Sequence, residues 1–317
     1  MERIAVGIDF GGTKILGGVV NLDTGQLVAS AKKKTRLLQE AETIIKRLES
    51  VVDESLSDAN MTKDQICGIG IGVAGMVNRE KGVLLAAANI GVNDIPLAEP
   101  LAKHYGVPCR IGNDVEAATR AEMHFGAGRG CQNLVCVFIG TGIGGAIVND
   151  GEIYLGASQT AGELGHTVIV PNGRECGCGG FGCLETYASR TAVAKTILAQ
   201  VQRGADSVVR DKIDLTKGIL RSRAISQAIQ AGDELVIAAV TEAADYLAFG
   251  LANVVNFYNP KRLVLGGGLV EASELYFSVA EKRTRLRALK IPARKVEIVR
   301  AELGDYAGII GAALMAK

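Results

Sequence analysis

Residues 4–20 read IAVGIDFGGTKILGGVV, which is an apolar run, a glycine turn at Gly11-Gly12 and a second run rich in Ile and Val. This pattern predicts a buried strand, a tight turn and a second strand. In a dinucleotide fingerprint or a P-loop, phosphate binds at the N-terminus of a helix that follows the glycines. Because a strand follows them here, a bound phosphate would instead contact the backbone amides of a hairpin turn.

The chain repeats this hairpin pattern in its second half. Residues 134–148 read LVCVFIGTGIGGAIV, with Gly140-Thr141-Gly142 at the turn. Gly140, Gly142 and Gly145 also fit the pattern GxGxxG. The hairpin turn sequence Asn149-Asp150-Gly151 follows, however, so no helix is predicted there and dinucleotide binding is not indicated. The repeat indicates an internal duplication in which each half presents one glycine turn.

The pattern between the two hairpins alternates helix and strand, which favours an α/β architecture. The predicted elements are a third strand over 21–30, an amphipathic helix over 37–56, a buried strand over 66–73, a helix over 96–105, a strand over 107–111 and a helix over 115–125. Residues 83–93 are weakly patterned. Asn113 and Asp114 stand between a strand end and a helix start, where ligands collect in open α/β sheets.

After residue 185 the chain is mainly helical. The predicted elements are helices over 187–203, 224–231, 235–257, 272–289 and 304–315 and strands over 262–265 and 296–300. The helix over 235–257 is apolar enough to be buried. A third glycine turn, Gly266-Gly267-Gly268, follows the strand over 262–265, and the last helix could pack back on the first domain.

A glycine-punctuated segment with almost no helical or strand periodicity, HTVIVPNGRECGCGGFGCLE, spans residues 166–185. Such a run needs something other than a hydrophobic core to hold one shape. His166, Cys176, Cys178 and Cys183 supply the four ligands of a closed tetrahedral zinc site. Ordinary buried cysteines are disfavoured because the flanking glycines offer no apolar face. Disulfides are disfavoured because the total of seven cysteines is odd and the other four are scattered.

Composition argues against several classes of function. With 317 residues, 48% of them hydrophobic and 22% charged, the chain is expected to be fully globular and long enough for two domains. A net charge of +1 means that the chain has almost no excess positive charge to attract nucleic acid or an anionic membrane, so no partner of either kind is expected. The N-terminal residues lack the features of a signal peptide and no uninterrupted apolar run approaches the length of a membrane span, so a cytoplasmic protein is expected.

Five motifs together resemble the ROK family of bacterial sugar kinases and repressors, within the actin-like ATPase superfamily, over essentially the whole chain. They are DFGGTK at residues 9–14, GNDVEAA at 112–118, GTGIGG at 140–145, ELGH at 163–166 and CGCGGFGCLE at 176–185. The resemblance implies an α/β, two-domain actin-like ATPase (ribonuclease H-like) fold with duplicated mixed sheets and an interdomain cleft. It also implies a small N-terminal α/β domain over residues 1–112 plus 304–317 and a large C-terminal α/β domain over residues 113–303 that carries the zinc loop.

Within this family, repressors carry an additional N-terminal helix-turn-helix domain. The first glycine turn begins near residue 10, which leaves no room for such a domain before it, so a kinase is expected. The resemblance then implies ATP, Mg²⁺, structural Zn²⁺, a hexose acceptor phosphorylated at its 6-hydroxyl, with glucose as the first choice, and a homodimer or homotetramer. The residues implied for ATP binding are Asp9, Gly11, Gly12, Thr13, Lys14, Gly140, Thr141, Gly142, Gly266, Gly267 and Gly268. The residues implied for sugar binding are Gly75, Asn89, Asn113, Asp114, Glu163, His166 and Glu185.

Most of these roles have structural alternatives. Asp114 is the candidate general base that accepts the proton of the attacking hydroxyl, and its alternative role is to cap the following helix. Asp9 is expected to hold hydrated Mg²⁺, and the rival is a buried ion pair with Lys14. Glu163 and Glu185 are expected to accept hydrogen bonds from sugar hydroxyls, and the rival is a solvated surface glutamate. His166 would bind zinc through one ring nitrogen and donate to the sugar through the other.

The acceptor and the class of function also have alternatives. The segment AANIGVNDIP around Asn89 departs from the glucokinase-like pattern, which keeps N-acetylmannosamine, N-acetylglucosamine, fructose and mannose open as acceptors. A non-catalytic sugar sensor is disfavoured because it has no need of Asp9, Asp114 and two glycine turns. A zinc hydrolase is disfavoured because a full Cys₃His set leaves no metal position for water.

Overall fold

The computed structural model describes residues 2–35, 40–87, 91–213 and 219–316. The strands are β1 (Ile4–Phe10), β2 (Lys14–Asn21), β3 (Leu27–Lys34), β4 (Ile69–Val73), β5 (Met76–Asn78), β6 (Val83–Ala87), β7 (Val92–Pro96), β8 (Cys109–Asn113), β9 (Leu134–Ile139), β10 (Ile143–Asn149), β11 (Glu152–Ile153), β12 (Arg262–Gly266) and β13 (Glu297–Arg300). The helices are α1 (Ala41–Asp58), α2 (Ala98–Tyr105), α3 (Asp114–Phe125), α4 (Glu185–Ala188), α5 (Arg190–Gln202), α6 (Ser222–Gln230), α7 (Glu234–Tyr258), α8 (Gly268–Ala272), α9 (Glu274–Arg287), α10 (Lys290–Lys295) and α11 (Ala307–Met315).

The chain forms two compact units, unit 1 from residues 1–130 and 305–317 and unit 2 from residues 131–304. Unit 1 contains a five-stranded sheet in the order β3-β2-β1-β4-β8 and a three-stranded sheet β5-β6-β7, and unit 2 contains a five-stranded sheet β11-β10-β9-β12-β13. In both five-stranded sheets an antiparallel hairpin is followed by two strands parallel to its first strand. The duplication predicted from the two hairpins is therefore present as one strand order used twice.

The sheet of unit 1 is covered on both faces. Successive residues of a strand point to opposite faces, and the apolar side chains of β1 share a core with the apolar face of α1, including Ile44 and Leu48. The other face of the sheet packs on α11, which also contacts α3. Gly70 on β4 permits this approach, because a Cβ there would lie 1.7 Å from the carbonyl oxygen of Ala312. The last helix therefore packs on the first unit, as predicted.

Helix α7 is the central helix of unit 2, where it contacts α4, α5, α6, α9 and α10. Leu247, Leu251 and Val255 on this helix are buried in the core. By length and composition alone α7 could cross a membrane, since its most apolar window has a mean hydropathy of 1.6, but 56% of that window is buried inside the protein. The predicted buried helix over 235–257 is thus confirmed as a core helix of unit 2.

Three stretches differ from the sequence-based expectations. Strands β6 and β7 lie in and next to the weakly patterned residues 83–93. Few of their side chains are buried, so the alternation of apolar and polar residues is too short to predict a strand. The helix expected over 272–289 is present as α9, but the short helix α8 precedes it; Ser273 Oγ accepts the Tyr276 N–H at 3.1 Å and caps α9 as a separate helix. The first domain was expected to end at residue 112, whereas unit 1 continues to Gly130 because α3 packs against α11.

Candidate active site

The carboxyl ends of β1, β4 and β8 lie side by side at one edge of the first sheet. Phe10 pairs with Val73, which in turn pairs with Asn113. The residues that follow these strands therefore meet at one edge, the position where ligands bind in open α/β sheets. Those residues are Gly11, Gly12 and Thr13 after β1, Gly75 after β4, and Asn113 and Asp114 at the end of β8.

The first glycine turn is held by hydrogen bonds within unit 1. The Gly11 N–H donates to the Lys14 carbonyl at 3.0 Å. Thr35 braces the turn twice, because its Oγ1 donates to the Gly11 carbonyl at 2.7 Å and its N–H donates to the Thr13 carbonyl at 3.0 Å. The backbone of the turn is therefore fixed before any ligand binds.

The side chain of Asn113 caps helix α3. Its Oδ1 accepts the backbone N–H groups of Val115 at 2.8 Å and Glu116 at 3.4 Å, and its Nδ2 donates to the Gly75 carbonyl at 3.4 Å. Asp114 Oδ1 accepts the same Val115 N–H at 3.0 Å. Because Asn113 already provides the N-cap, capping alone does not account for a carboxylate at Asp114.

Asp9 lies near this edge, on β1, in surroundings that disfavour its ionised form. Burial, together with the charges of Asp114 and Asp305, raises the pKa of its carboxyl to about 6, against the opposing effect of the Lys14 ammonium, which lowers it. Lys14 Nζ lies 3.7 Å from Asp305 Oδ1. Across the described parts of the chain, Asp9 has no ion-pair partner within 4.0 Å, so the alternative of a buried pair with Lys14 is not formed. Three carboxylates around one ammonium leave excess negative charge, and their oxygens are the ligands that Mg²⁺ prefers.

The second sheet brings two further glycine turns together. Gly266, at the end of β12, pairs with Phe138 near the end of β9. The turn Gly140–Gly142 follows β9 and the turn Gly266–Gly268 follows β12, so both lie at the carboxyl edge of these parallel strands. The contact is close, because a Cβ on Gly267 would lie 2.6 Å from the carbonyl oxygen of Ile139.

The start of helix α5 holds the Gly140–Gly142 turn. The backbone N–H of Arg190 donates to the Gly140 carbonyl at 3.0 Å, and its Nη2 donates to Thr141 Oγ1 at 2.8 Å. Thr191 Oγ1 donates to the Thr141 carbonyl at 2.7 Å. The second turn is therefore held in place by residues of α5, which lie outside its own hairpin.

The predicted zinc ligands form a cluster. The ligand atoms of His166, Cys176, Cys178 and Cys183 all lie within 4.8 Å of one another. Cys176 Sγ is 3.6 Å from His166 Nδ1, and Cys178 Sγ is 3.8 Å from Cys183 Sγ. With Zn–S and Zn–N bonds of about 2.3 and 2.0–2.1 Å, a tetrahedral site has S···S and S···N edges of about 3.8 and 3.6 Å. The donor types and their spacing therefore fit a tetrahedral metal site.

The thiols of this cluster differ in their surroundings. Burial raises the pKa of Cys176 to about 12 and also raises the pKa of Cys183. The backbone N–H of Gly180 lowers the pKa of Cys178. Two of the three thiols therefore resist ionisation on their own, and a metal ion that ligates thiolates would supply the positive charge that ionisation needs.

Glu185 connects the cluster to the second glycine turn. Its Oε1 accepts a hydrogen bond from Cys176 Sγ at 3.2 Å and lies 3.8 Å from His166 Nδ1, and its Oε2 accepts the Ile143 N–H at 3.4 Å. A Cβ on Gly142 would lie 2.5 Å from Glu185 Oε2, so glycine at this position lets the carboxylate approach the turn this closely. With 22% of its side chain exposed, Glu185 is not a solvated surface glutamate.

Glu163, in contrast, is exposed, and its backbone carbonyl accepts the His166 N–H at 3.1 Å. Asn89 lies outside the described residues. The sequence motifs did not identify Asp305, Arg190 or Thr191. Each of these stands at or before the start of a helix, where polar residues are common caps, so their positions carried only a weak signal.

Comparison with known proteins gives a consistent picture over the whole chain. The glucokinase of Halalkalibacterium halodurans is 33% identical over 318 residues, covering 100% of this chain and 96% of that protein. The structure of a ROK family glucokinase from Streptomyces griseus in complex with glucose and AMPPNP matches with a TM-score of 0.86 and 31% identity over 98% of each chain. A ROK family transcriptional regulator, a homologue of the E. coli MLC protein, matches with a TM-score of 0.87 and 27% identity over 100% of this chain and 78% of the regulator. The ROK family model matches residues 5–317, and the chain therefore belongs to the ROK family.

Proposed function

We propose that this chain is an ATP-dependent hexose kinase that phosphorylates glucose at the 6-hydroxyl, with Asp114 as the general base. The observation that carries the proposal is the position of Asp114 directly after the carboxyl end of β8, close enough to Asp9 to raise the pKa of that carboxyl. Similarity to glucokinases, one of them in complex with glucose and AMPPNP, supports this choice of donor and acceptor.

In the proposed reaction the hydroxyl oxygen of the sugar forms a bond to the γ-phosphorus of ATP while the bond to the bridging oxygen of ADP breaks. The proton of the hydroxyl passes to the carboxylate of Asp114. Such a transfer asks the protein mainly for positioning and charge stabilisation. The hydrogen bond from the Val115 N–H to Asp114 Oδ1 at 3.0 Å holds the carboxylate in one orientation at the start of α3.

For the donor, we assign the phosphates to the backbone of Gly11–Thr13 and Gly140–Gly142 and to the ammonium of Lys14. The turn Gly266–Gly268 is assigned to the adenosine. Asp9 would hold Mg²⁺, with water as further ligands. Mg²⁺ supplies neutralisation of the phosphate charge when it is bound. The lack of an ion-pair partner for Asp9 among the described residues supports this assignment.

For the acceptor, we assign the sugar hydroxyls to Gly75, Asn89, Asn113, Asp114, Glu163, His166 and Glu185. We also propose that His166, Cys176, Cys178 and Cys183 hold a structural zinc ion that fixes the segment over 166–185. Because Nδ1 of His166 faces Cys176 at 3.6 Å, its Nε2 is the nitrogen left to donate to the sugar. Zinc and substrate binding would then share one imidazole.

An ATP-coupled assay over glucose, mannose, fructose, N-acetylglucosamine and N-acetylmannosamine tests the proposal. We expect the highest kcat/KM with glucose. Asp114→Asn should lower kcat by about 10²–10⁴-fold, because it removes the base and retains an oxygen that can accept the Val115 N–H. Asp64→Asn, at an exposed position of the same unit, is the matched control and should leave kcat unchanged. Absence of turnover with every sugar, or full turnover by Asp114→Asn, would contradict the proposal.

A non-catalytic sugar sensor is the second candidate, because a ROK family transcriptional regulator has the same fold. Calorimetry with the same sugars separates the two functions. Binding of a hexose without phosphorylation of any sugar in the panel would favour the sensor.

A further inference from the structure

Arg190 is a charged residue at the second glycine turn to which the proposed reaction gives no role. It is the first residue of α5, and its Nη2 donates to Thr141 Oγ1 at 2.8 Å. Its backbone N–H donates to the Gly140 carbonyl at 3.0 Å. Side chain and backbone are thus both anchored to the turn, and the guanidinium is held beside it.

This guanidinium is partly buried without a counterion. Among the residues that the structure describes, no carboxylate lies within 4.0 Å of it, and burial lowers its pKa. A guanidinium carries five N–H donors, and the hydrogen bond to Thr141 uses one of them. A cation withdrawn from water without an ionic partner costs free energy. The arrangement therefore favours an anion as a further partner of Arg190.

The neighbouring turn indicates which class of anion this is. Gly140 and Gly142 expose backbone without side chains, and Thr141 is exposed at the tip of the turn. Guanidinium N–H groups beside the amides of a glycine turn match the geometry and charge of phosphate oxygens. A carboxylate is less favoured than a phosphate as the ligand, because the turn and Arg190 together place hydrogen-bond donors on more than one side of the bound group.

We propose that Arg190 is a phosphate-binding residue of the nucleotide site and that its remaining N–H donors contact the phosphate chain of ATP. This inference rests on the proposed function, since it takes Gly140–Gly142 as a phosphate turn. The rival is a purely structural role, in which Arg190 only positions Thr141. The two roles differ in one measurable respect: a phosphate contact affects nucleotides and not adenosine, whereas a displaced turn affects both.

The test compares wild type, Arg190→Gln and Arg190→Lys by calorimetry with AMPPNP, ADP and adenosine, together with KM for ATP and for glucose. Arg190→Gln should weaken AMPPNP and ADP binding about tenfold or more, because a hydrogen bond to a charged group is lost. It should raise KM for ATP by a similar factor and leave adenosine binding and KM for glucose within about twofold. Arg190→Lys keeps the charge and should lose less than Arg190→Gln. Arg203→Gln, which removes an exposed arginine at the other end of α5, is the matched control.

Two results would overturn the inference while the proposed function stands. The first is an equal loss of adenosine and AMPPNP affinity in Arg190→Gln, which would assign Arg190 to the structure of the turn. The second is unchanged AMPPNP affinity in a variant whose wild type binds AMPPNP. A wild type that binds no AMPPNP would overturn the proposed function and this inference together.

Discussion

At the residue scale, Asp9 is a carboxyl placed where its charge is unfavourable. It stands between Ile8 and Phe10, both fully buried, and burial with the charges of Asp114 and Asp305 raises its pKa to about 6. Because the carboxyl is ionised at neutral pH against this preference for the neutral form, it lowers the stability of the empty site. Its charge acquires a function when a cation binds, because the positive charge of the cation offsets the effects of burial and of the neighbouring carboxylates.

The raised pKa predicts the pH dependence of stability. Between about pH 4 and 6 the folded state binds the Asp9 proton more tightly than the unfolded state, so the free energy of unfolding falls as pH rises through this window. Asp9→Asn removes this dependence. Without Mg²⁺ and nucleotide, the variant should be more stable than wild type at pH 7.5 by about 1–3 kcal/mol, and the difference should shrink toward pH 4.5. Urea unfolding at the two pH values measures it.

Asp64→Asn, at an exposed carboxyl of the same unit, is the control and should show no such difference. Mg²⁺ with AMPPNP should stabilise wild type more than Asp9→Asn. A variant less stable than wild type at pH 7.5 would refute the account of Asp9, because it would mean that the ionised carboxylate has a favourable partner in the empty protein.

At the scale of elements, the segment over 166–185 has the least regular structure of the site. Its backbone is joined by two isolated bridges, Val168 with Cys183 and Glu175 with Phe181, and by a few turns. Leu184 is buried in the core of unit 2 and Ile169 packs against that core, but Val168 and Phe181 are exposed, so burial holds only part of the segment. A metal ion with four ligands from this segment would hold the part that burial does not.

Metal removal tests this element. Purified protein should contain about one zinc per chain, and Cys178→Ser should lose it, because a closed structural site needs four ligands. We expect the metal-free protein and the variant to be cleaved by trypsin after Arg174 and to show a raised KM for glucose. The exposed Cys67, far from the cluster in sequence, supplies the control Cys67→Ser. Metal-free protein with unchanged KM and unchanged resistance to trypsin would refute a structural role for zinc.

The same scale shows what sequence can predict. The two hairpins were predicted from β-branched residues on either side of glycines. The metal cluster was predicted from the types of its ligands and their short spacing. Both predictions were possible because the signals are local in sequence. Strands β6 and β7 were missed because few of their side chains are buried. Asp305 and Arg190 were missed for another reason: their roles arise from tertiary contacts with Lys14 and Thr141, and no local pattern encodes such contacts.

At the scale of the whole molecule, one topology serves two units. Each five-stranded sheet has a glycine turn at the carboxyl edge of its parallel strands. This turn is Gly11–Thr13 in unit 1 and Gly140–Gly142 in unit 2. The units differ in what surrounds that edge. Unit 1 supplies the carboxylates Asp9 and Asp114, and unit 2 supplies Arg190 and the metal cluster. Duplication thus provides two turns, and the added residues give each a different charge.

Binding of sugar and of nucleotide should each stabilise the folded molecule. A ligand that binds only the folded state adds about 2.7 kcal/mol at about one hundred times its Kd, which corresponds to a rise in Tm of about 4 °C for a chain of this size. A kinase should show such a rise with glucose and another with Mg²⁺ and AMPPNP. Asp114→Asn should retain the rise with AMPPNP although it is inactive, because the base is needed for transfer and not for nucleotide binding. Thermal unfolding of both proteins with each ligand measures this, and a rise with glucose alone would identify a sugar sensor whose two glycine turns no longer bind nucleotide.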